Sequence, residues 1–203
     1  TGSILDPRSF HPPAGGISHY DAVVCGGVLP HISADDDTIV LRNIAAALNS
    51  GGVCAVEARN QLFAMFTMNR YSHELIANDM IQPEKLKMLP GADPAKIEAM
   101  ISESRKFFRM DIPPVRKGKE DEPGYDEVLS RTHNPIVLKK QFEETGFRDV
   151  KIMFYHYHAF PPMFQALMPE VFMARSLQME NDPEDWRGYF MASAFYMVGR
   201  KAS

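Results

Sequence analysis

Apolar positions along this chain change period several times, and each change marks an element. Residues 22–25 read Ala-Val-Val-Cys, a short continuous apolar run. Such a run predicts a strand buried on both faces of a parallel sheet. Residues 35–49 then take helical period, with Val40, Leu41, Ile44, Ala47 and Leu48 at i, i+1, i+4, i+7 and i+8. Ser33 or one of the following aspartates can cap this helix, and Gly51 can supply the left-handed residue at its end. Residues 53–58 are the next strand, and a connection of this length predicts a right-handed crossover.

The alternation is interrupted between residues 60 and 132. Residues 61–77 are apolar and Met-rich and predict a helix. Asp93-Pro94 reads as an N-cap with proline at the first helical position, opening a helix with Ile97, Met100, Ile101, Ser104 and Phe108 on one face. Residues 116–122, Arg-Lys-Gly-Lys-Glu-Asp-Glu, predict a solvated loop. Asn134-Pro135 starts another capped helix, closed by Gly146. Residues 150–158 alternate as a strand, 161–180 carry an apolar helical pattern, and 195–200 form a short last strand. Residues 1–19, rich in Gly, Pro and Ser, predict a loop, and no internal repeat is present.

Composition narrows the class. With 203 residues, 45% hydrophobic and 24% charged, the chain is long enough for one soluble domain with a sizeable core. A formal net charge of −4 supplies no basic field, so neither nucleic acid nor an anionic membrane is an expected partner. No apolar stretch approaches the roughly 18 residues of a membrane span, and no signal peptide pattern is visible. Cys25 and Cys54 both lie in apolar strands, which favours buried reduced thiols and a cytoplasmic location.

Three blocks share a further pattern. Tyr20-Asp21-Ala22-Val23-Val24-Cys25 leads through Gly26-Gly27 into Val28-Leu29-Pro30-His31-Ile32; Leu48-Asn49-Ser50-Gly51-Gly52 precedes the second strand; Glu144-Thr145-Gly146-Phe147 precedes the third. Together with the final strand, in this order and spacing, they resemble the fourth to seventh strands of class I S-adenosylmethionine-dependent methyltransferases of the small-molecule type. The resemblance implies an α/β, Rossmann-like methyltransferase sheet whose seventh strand inserts antiparallel beside the fifth. It implies a partial core over residues 1–59 and 134–203, with a helical lid or substrate insertion over 60–133. The family's first two or three βα units are expected to precede Thr1, about 100 residues at roughly 30 per unit. The glycine-rich loop that holds the cofactor is absent from these residues. The adenine-facing Asp of the third strand is replaced by Ser3, with Asp6 as a displaced candidate.

The resemblance implies S-adenosylmethionine as cofactor, with Ser3, Ile4, Cys25, Gly26, Gly27 and Leu29 beside it. The two glycines are equally explained by a tight turn needing positive φ. The expected activity is methyl transfer to an oxygen or nitrogen of a small organic molecule, an in-line displacement that can require a base. His31, His133 and His156 are the candidate catalytic residues. Each has a plain structural alternative: a loop-bonded ring for His31, cap surroundings for His133, a hydrogen-bonded strand pair for His156 with His158. Strand alternation puts His156 and His158 on one face with Phe154, but no third ligand accompanies them, so no metal is expected. Glu57 and Asn60, at the end of the second strand, and Arg70, Tyr71 and His158 are the substrate-binding candidates. The Met and aromatic residues of 62–71 suit an adaptable lid, Arg70 being able to grip an anion. A homodimer is an open option. Two alternatives stand beside this reading: a methyltransferase-like non-catalytic subunit or binding module, and a nicotinamide-binding Rossmann-like enzyme, whose Gly-X-Gly-X-X-Gly fingerprint is also missing.

Overall fold

The structure is a computed structural model and describes residues 2–10, 19–111 and 129–202. Strand β1 (Tyr20–Cys25), helix α1 (Asp37–Ala47) and strand β2 (Leu48–Arg59) form the first unit. The long connection after β2 carries α2 (Ala64–Thr67), α3 (Arg70–Glu74), α4 (Pro83–Lys87) and α5 (Pro94–Ser104). Helix α6 (Pro135–Glu144) leads into β3 (Phe147–Tyr157), then α7 (Pro169–Met179), α8 (Gly188–Met191) and β4 (Ala192–Lys201). The fold is mixed α/β with one open four-stranded sheet, in the order β1-β2-β4-β3. β1 and β2 are parallel; β4 runs antiparallel to both of its neighbours.

Alternation of side chains along the strands decides where the core sits. Cys54, Val56 and Ala58 of β2, Phe195 and Met197 of β4, and Ile152 and Phe154 of β3 face Val40, Leu41 and Ile44 of α1 and Leu138 and Phe142 of α6 in one buried cluster. Each large apolar side chain buried there contributes roughly 1.5–3 kcal/mol. Helix α8 meets the same cluster through Gly188, where a Cβ would lie 2.3 Å from Phe154 ring atoms. Gly188→Ala is therefore expected to destabilise the protein by about 1–3 kcal/mol, measured as a lower denaturant midpoint with unchanged slope.

The opposite face is open. Val24 is 73% exposed, and Ala55 opposite it, Val198 opposite Ala55, and the cross-strand row of Glu57, Tyr196 and Met153 are only partly covered or exposed. The expectation that residues 22–25 are buried on both faces is thus corrected: only Cys25 of β1 is buried. Among the described residues β1 is an edge strand and helices pack on one face alone, so its apolar run meets a core on one side only.

Local chemistry explains the other departures. The helix expected over 61–77 breaks where Met68 turns left-handed (φ 54°) and Asn69 begins a new capping box, accepting from Tyr71 N (2.9 Å) while Ser72 Oγ accepts from Asn69 N (3.1 Å). A π-helical turn, Leu75–Ile81, follows and ends at left-handed Gln82. α1 stops at Ala47, so left-handed Gly51 lies inside β2, beside the register shift opposite Tyr20, and does not cap the helix. Ser33 makes no backbone cap; its hydroxyl donates to Asp36 Oδ2 at 2.7 Å. On α5, Met100 is exposed and does not share the half-buried side of Ile97, Ile101 and Ser104. The pattern over 161–180 divides into a 3₁₀ turn, Pro162–Leu167, and α7, which opens with Pro169. Both cap-plus-proline starts form as read: Asp93 accepts from Ala95 N and Lys96 N, Asn134 from Ile136 N and Val137 N. The charged loop of 116–122 lies outside the described residues. No helix among the described residues is long and apolar enough to cross a membrane.

Candidate functional site

Parallel β1 and β2 end side by side, and their carboxyl ends hold a group of bonded polar atoms around Glu57 on the open face. The chain leaves β1 through Gly26 and Gly27, the latter left-handed at φ 67°. Gly27 N–H donates to Glu57 Oε2 at 2.7 Å. Tyr155 O–H donates to Glu57 Oε1, and the Tyr155 and Tyr196 rings stack with centroids 5.4 Å apart. A Cβ on Gly26 would stand 3.3 Å from Glu57 Oε2 and 3.7 Å from Tyr196 Oη, whereas one on Gly27 would meet nothing within 4 Å. Glu57 therefore fixes the turn by taking one backbone and one side-chain donor. Burial, then the bond to Glu57, pushes the Tyr155 phenol well above its ordinary range, so it stays a donor.

The same carboxylate acts on Cys25. Burial first, then the negative Glu57, pushes this thiol up to about 11; burial pushes Cys54 up to about 12. Thiolate is the reactive form. Both thiols are expected to resist alkylation of the native protein at pH 8 and to react once it is unfolded, as read by mass spectrometry. A raised folded-state value also means that the folded form holds its proton longer than the unfolded chain. Their stabilising effect is complete below the ordinary thiol value of 9.0 and is lost as pH rises through about 11 to 12.

A second polar group lies beneath the turn. Arg131 makes two bonds to Asp37, Nη1 to Oδ1 at 3.1 Å and Nη2 to Oδ2 at 2.7 Å, and Asp37 is 4% exposed at the start of α1. His133 Nε2 lies 3.2 Å from Arg131 Nη2 and 3.6 Å from Asp37 Oδ2. His133, a candidate catalytic residue, lies in the interior at 5% exposed, and among the described residues its Nδ1 has no hydrogen-bond partner.

Asn60 is also built into the fold rather than offered to a ligand. Its Nδ2 donates to the carbonyls of Gly188 (3.1 Å), Tyr189 (2.9 Å) and Ala192 (2.8 Å), and its Oδ1 accepts from Leu62 N (3.0 Å). The His156–His158 pair separates. His156 takes a left-handed backbone (φ 53°), which breaks the alternation so that Phe154 and Tyr157 are both buried and His156 is exposed. His158 instead packs between Phe63 (centroids 4.6 Å) and Phe172 (5.6 Å), and burial lowers its pKa, favouring the neutral ring. Among the described residues no cluster of three or more His, Cys, Asp or Glu is arranged to hold a metal.

Ser3 Oγ accepts from Leu5 N at 3.2 Å, and Ile4 O accepts from Asn43 of α1 at 2.9 Å, so this segment rests on α1. Asp6 is committed to Arg8, whose guanidinium holds its carboxyl below the usual range. Leu29 is fully buried, its side chain part of the core. Arg70 stacks over the Tyr71 ring at 4.7 Å and donates to its hydroxyl at 2.9 Å. His31 stays exposed on the turn after β1, its Nδ1 2.6 Å from Leu129 O. The structure thus brings Cys25, Gly26, Gly27, Glu57 and His31 to one edge of the sheet. It adds Tyr155, Tyr196, Asp37 and Arg131, which the sequence did not single out.

The chain is similar along its length to S-adenosylmethionine-dependent methyltransferases of known structure and covers only part of each. These include a SAM-dependent methyltransferase from Archaeoglobus fulgidus (13% identity, TM-score 0.45, 99% of this chain and 66% of that one). An O-methyltransferase family protein from Burkholderia thailandensis matches at 12% identity and TM-score 0.39, over 100% of this chain and 35% of its own. Human N-acetylserotonin methyltransferase, solved with SAM, matches at 11% and 0.38, over 100% and 33%. The likeness is one of fold alone. No family model matches the sequence, and no curated protein matches it.

Proposed function

We propose that this chain forms part of a class I S-adenosylmethionine-dependent methyltransferase that methylates an oxygen or nitrogen of a small organic molecule. The observation that carries this reading is the strand order: antiparallel β4 lies between β2 and β3, the arrangement that the sequence resemblance implies. The residues at the carboxyl edge fit one side of the cofactor. Cys25, Gly26 and Gly27 would hold it through their backbone, where a side chain on Gly26 would crowd Glu57 and the space beside Gly27 is open. The family's glycine-rich loop is not among these residues, so the chain accounts for only part of the cofactor contacts. When bound, the cofactor supplies an activated methyl group, and no covalent nucleophile is needed from the protein. Glu57 keeps the turn in place, and the described part of the connection after β2, residues 60–111, acts as a lid over the acceptor, with Phe63 bearing on His158.

The test is methyl transfer from labelled S-adenosylmethionine by the full-length gene product across metabolite pools. Turnover is expected, together with thermal stabilisation by S-adenosylhomocysteine. Neither turnover nor stabilisation would leave the non-catalytic reading as the better one.

A further inference from the structure

Helix α7 buries one stripe and leaves the opposite one bare. Phe172, Ser176 and Met179 face inward. Phe172 packs on His158 and Phe160, with ring centroids 5.6 and 5.0 Å apart, and Ser176 Oγ accepts from Ala159 N at 3.1 Å. The outward stripe of a surface helix is ordinarily polar. Here every residue from 163 to 171 is exposed, Leu167 and Val171 at 73% and 56%. With Met163, Phe164 and Met168 they form an apolar strip of the kind that marks an interaction surface.

The order of residues indicates what fits the strip. Leu167, Val171, Ala174 and Gln178 follow one another at spacings of 4, 3 and 4, the a/d rhythm of a two-helix seam. Leu167 closes the 3₁₀ turn that leads into α7, and the other three lie on the helix itself. In this frame the buried stripe falls on the side away from the seam, and Ala174 leaves room for close approach. Glu170 and Arg175 then flank the seam on opposite sides, five residues apart, at the g and e places from which parallel helices exchange ion pairs. Both side chains are available for this. Glu170 has no ion-pair partner among the described residues. Arg175 Nη1 donates to Gln178 Oε1 at 3.4 Å, and its charge bears on Asp185, which Arg187 already pairs. A two-fold axis along the helices brings Glu170 to the partner subunit's Arg175, and the same contact repeats by symmetry. An antiparallel pair would instead set each flank beside its own like charge. Glu180, Asp182, Glu184 and Asp185 follow the strip, so it has no basic border for anionic lipid.

We propose that α7 is a self-association surface, on which two copies of this protein pair their α7 helices in parallel. Leu167, Val171 and Ala174 form the seam, and Glu170–Arg175 pairs close it on both sides. The pairing goes beyond the methyltransferase reading and does not depend on it.

Sedimentation velocity of the full-length gene product over micromolar concentrations is expected to show a monomer–dimer equilibrium. Val171 is exposed in the single chain, so Val171→Asp is expected to leave the circular dichroism spectrum unchanged. It is expected to weaken association about 100-fold or more, because it buries two unpaired carboxylates in the seam. Glu170→Arg and Arg175→Glu each set like charges together twice in the dimer, and each is expected to weaken it roughly tenfold. The double variant E170R/R175E is expected to regain wild-type association. Residues on the seam of a parallel pair face their own counterparts. Ala174→Cys is therefore expected to give a disulfide-linked dimer in air, and Met173→Cys, off the seam, to stay unlinked. A wild type that is monomeric throughout, its strip bare or covered by another segment of the full-length chain, would overturn the proposal. So would a dimer indifferent to Val171→Asp, a double reversal that fails to restore association, or linkage at position 173 in place of 174.

Discussion

Replacing Arg131 with alanine is expected to lower the unfolding free energy by about 3 kcal/mol or more. The substitution removes two bonds to Asp37 and one to the carbonyl of Ile32. What remains is a carboxylate 4% exposed, with only His133 nearby to answer its charge. Breaking a buried pair costs more than the pair contributes, because the partner stays desolvated. Position within the fold adds to this, since Arg131 joins the turn after β1 to the first residue of α1 and neighbours the end of β2. The double variant D37N/R131M removes the charge along with its partner and is expected to lie much closer to the wild type. Urea denaturation of both variants reads the contrast directly. A loss of about 1 kcal/mol or less in Arg131→Ala would mean that the pair behaves like a surface ion pair.

None of this cluster is visible in local sequence pattern. Asp37 and Arg131 stand 94 residues apart, and Glu57 and Tyr155 stand 98 apart. Hydrophobic periodicity reports which face of an element is buried, not which distant side chain will meet it. What was legible depended on short-range chemistry: Asp93-Pro94 and Asn134-Pro135 cap their helices as the dipeptides imply, and the Gly26-Gly27 turn sits at a strand end. The strand order was legible only through resemblance, because no local feature says that the last strand pairs between the second and third. The failures have local causes of another kind. An apolar run such as Ala-Val-Val-Cys is the same whether one or both faces are covered, and β1 has one. Periodicity passed over Met68 because a left-handed non-glycine residue leaves no apolar signature, although Asn69 and Ser72 spelled a capping box. His156 broke the alternation in the same way.

Asn60 gives the second large effect and separates architecture from ligand binding. Its position at the end of β2, on the edge where an α/β sheet binds ligands, suggested a substrate contact. The structure instead uses its amide as a knot. Three carbonyls from α8 and the start of β4 converge on Nδ2, and Oδ1 caps the 3₁₀ turn Gln61–Phe63 by accepting from Leu62 N. The residue is 3% exposed, so water cannot readily replace those bonds. Each buried polar group left without a partner costs about 1–3 kcal/mol. Gly188 O retains the N–H of Ala192, which lessens its share, so Asn60→Ala is expected to cost about 3 kcal/mol. Asn60→Asp is expected to cost at least as much, because a carboxylate keeps the bond to Leu62 N but turns negative oxygen toward three carbonyls. Denaturation of both variants distinguishes the two roles. A ligand-binding asparagine would leave the midpoint near that of the wild type and change only substrate affinity, whereas a structural knot lowers the midpoint in both variants whether or not any ligand is present.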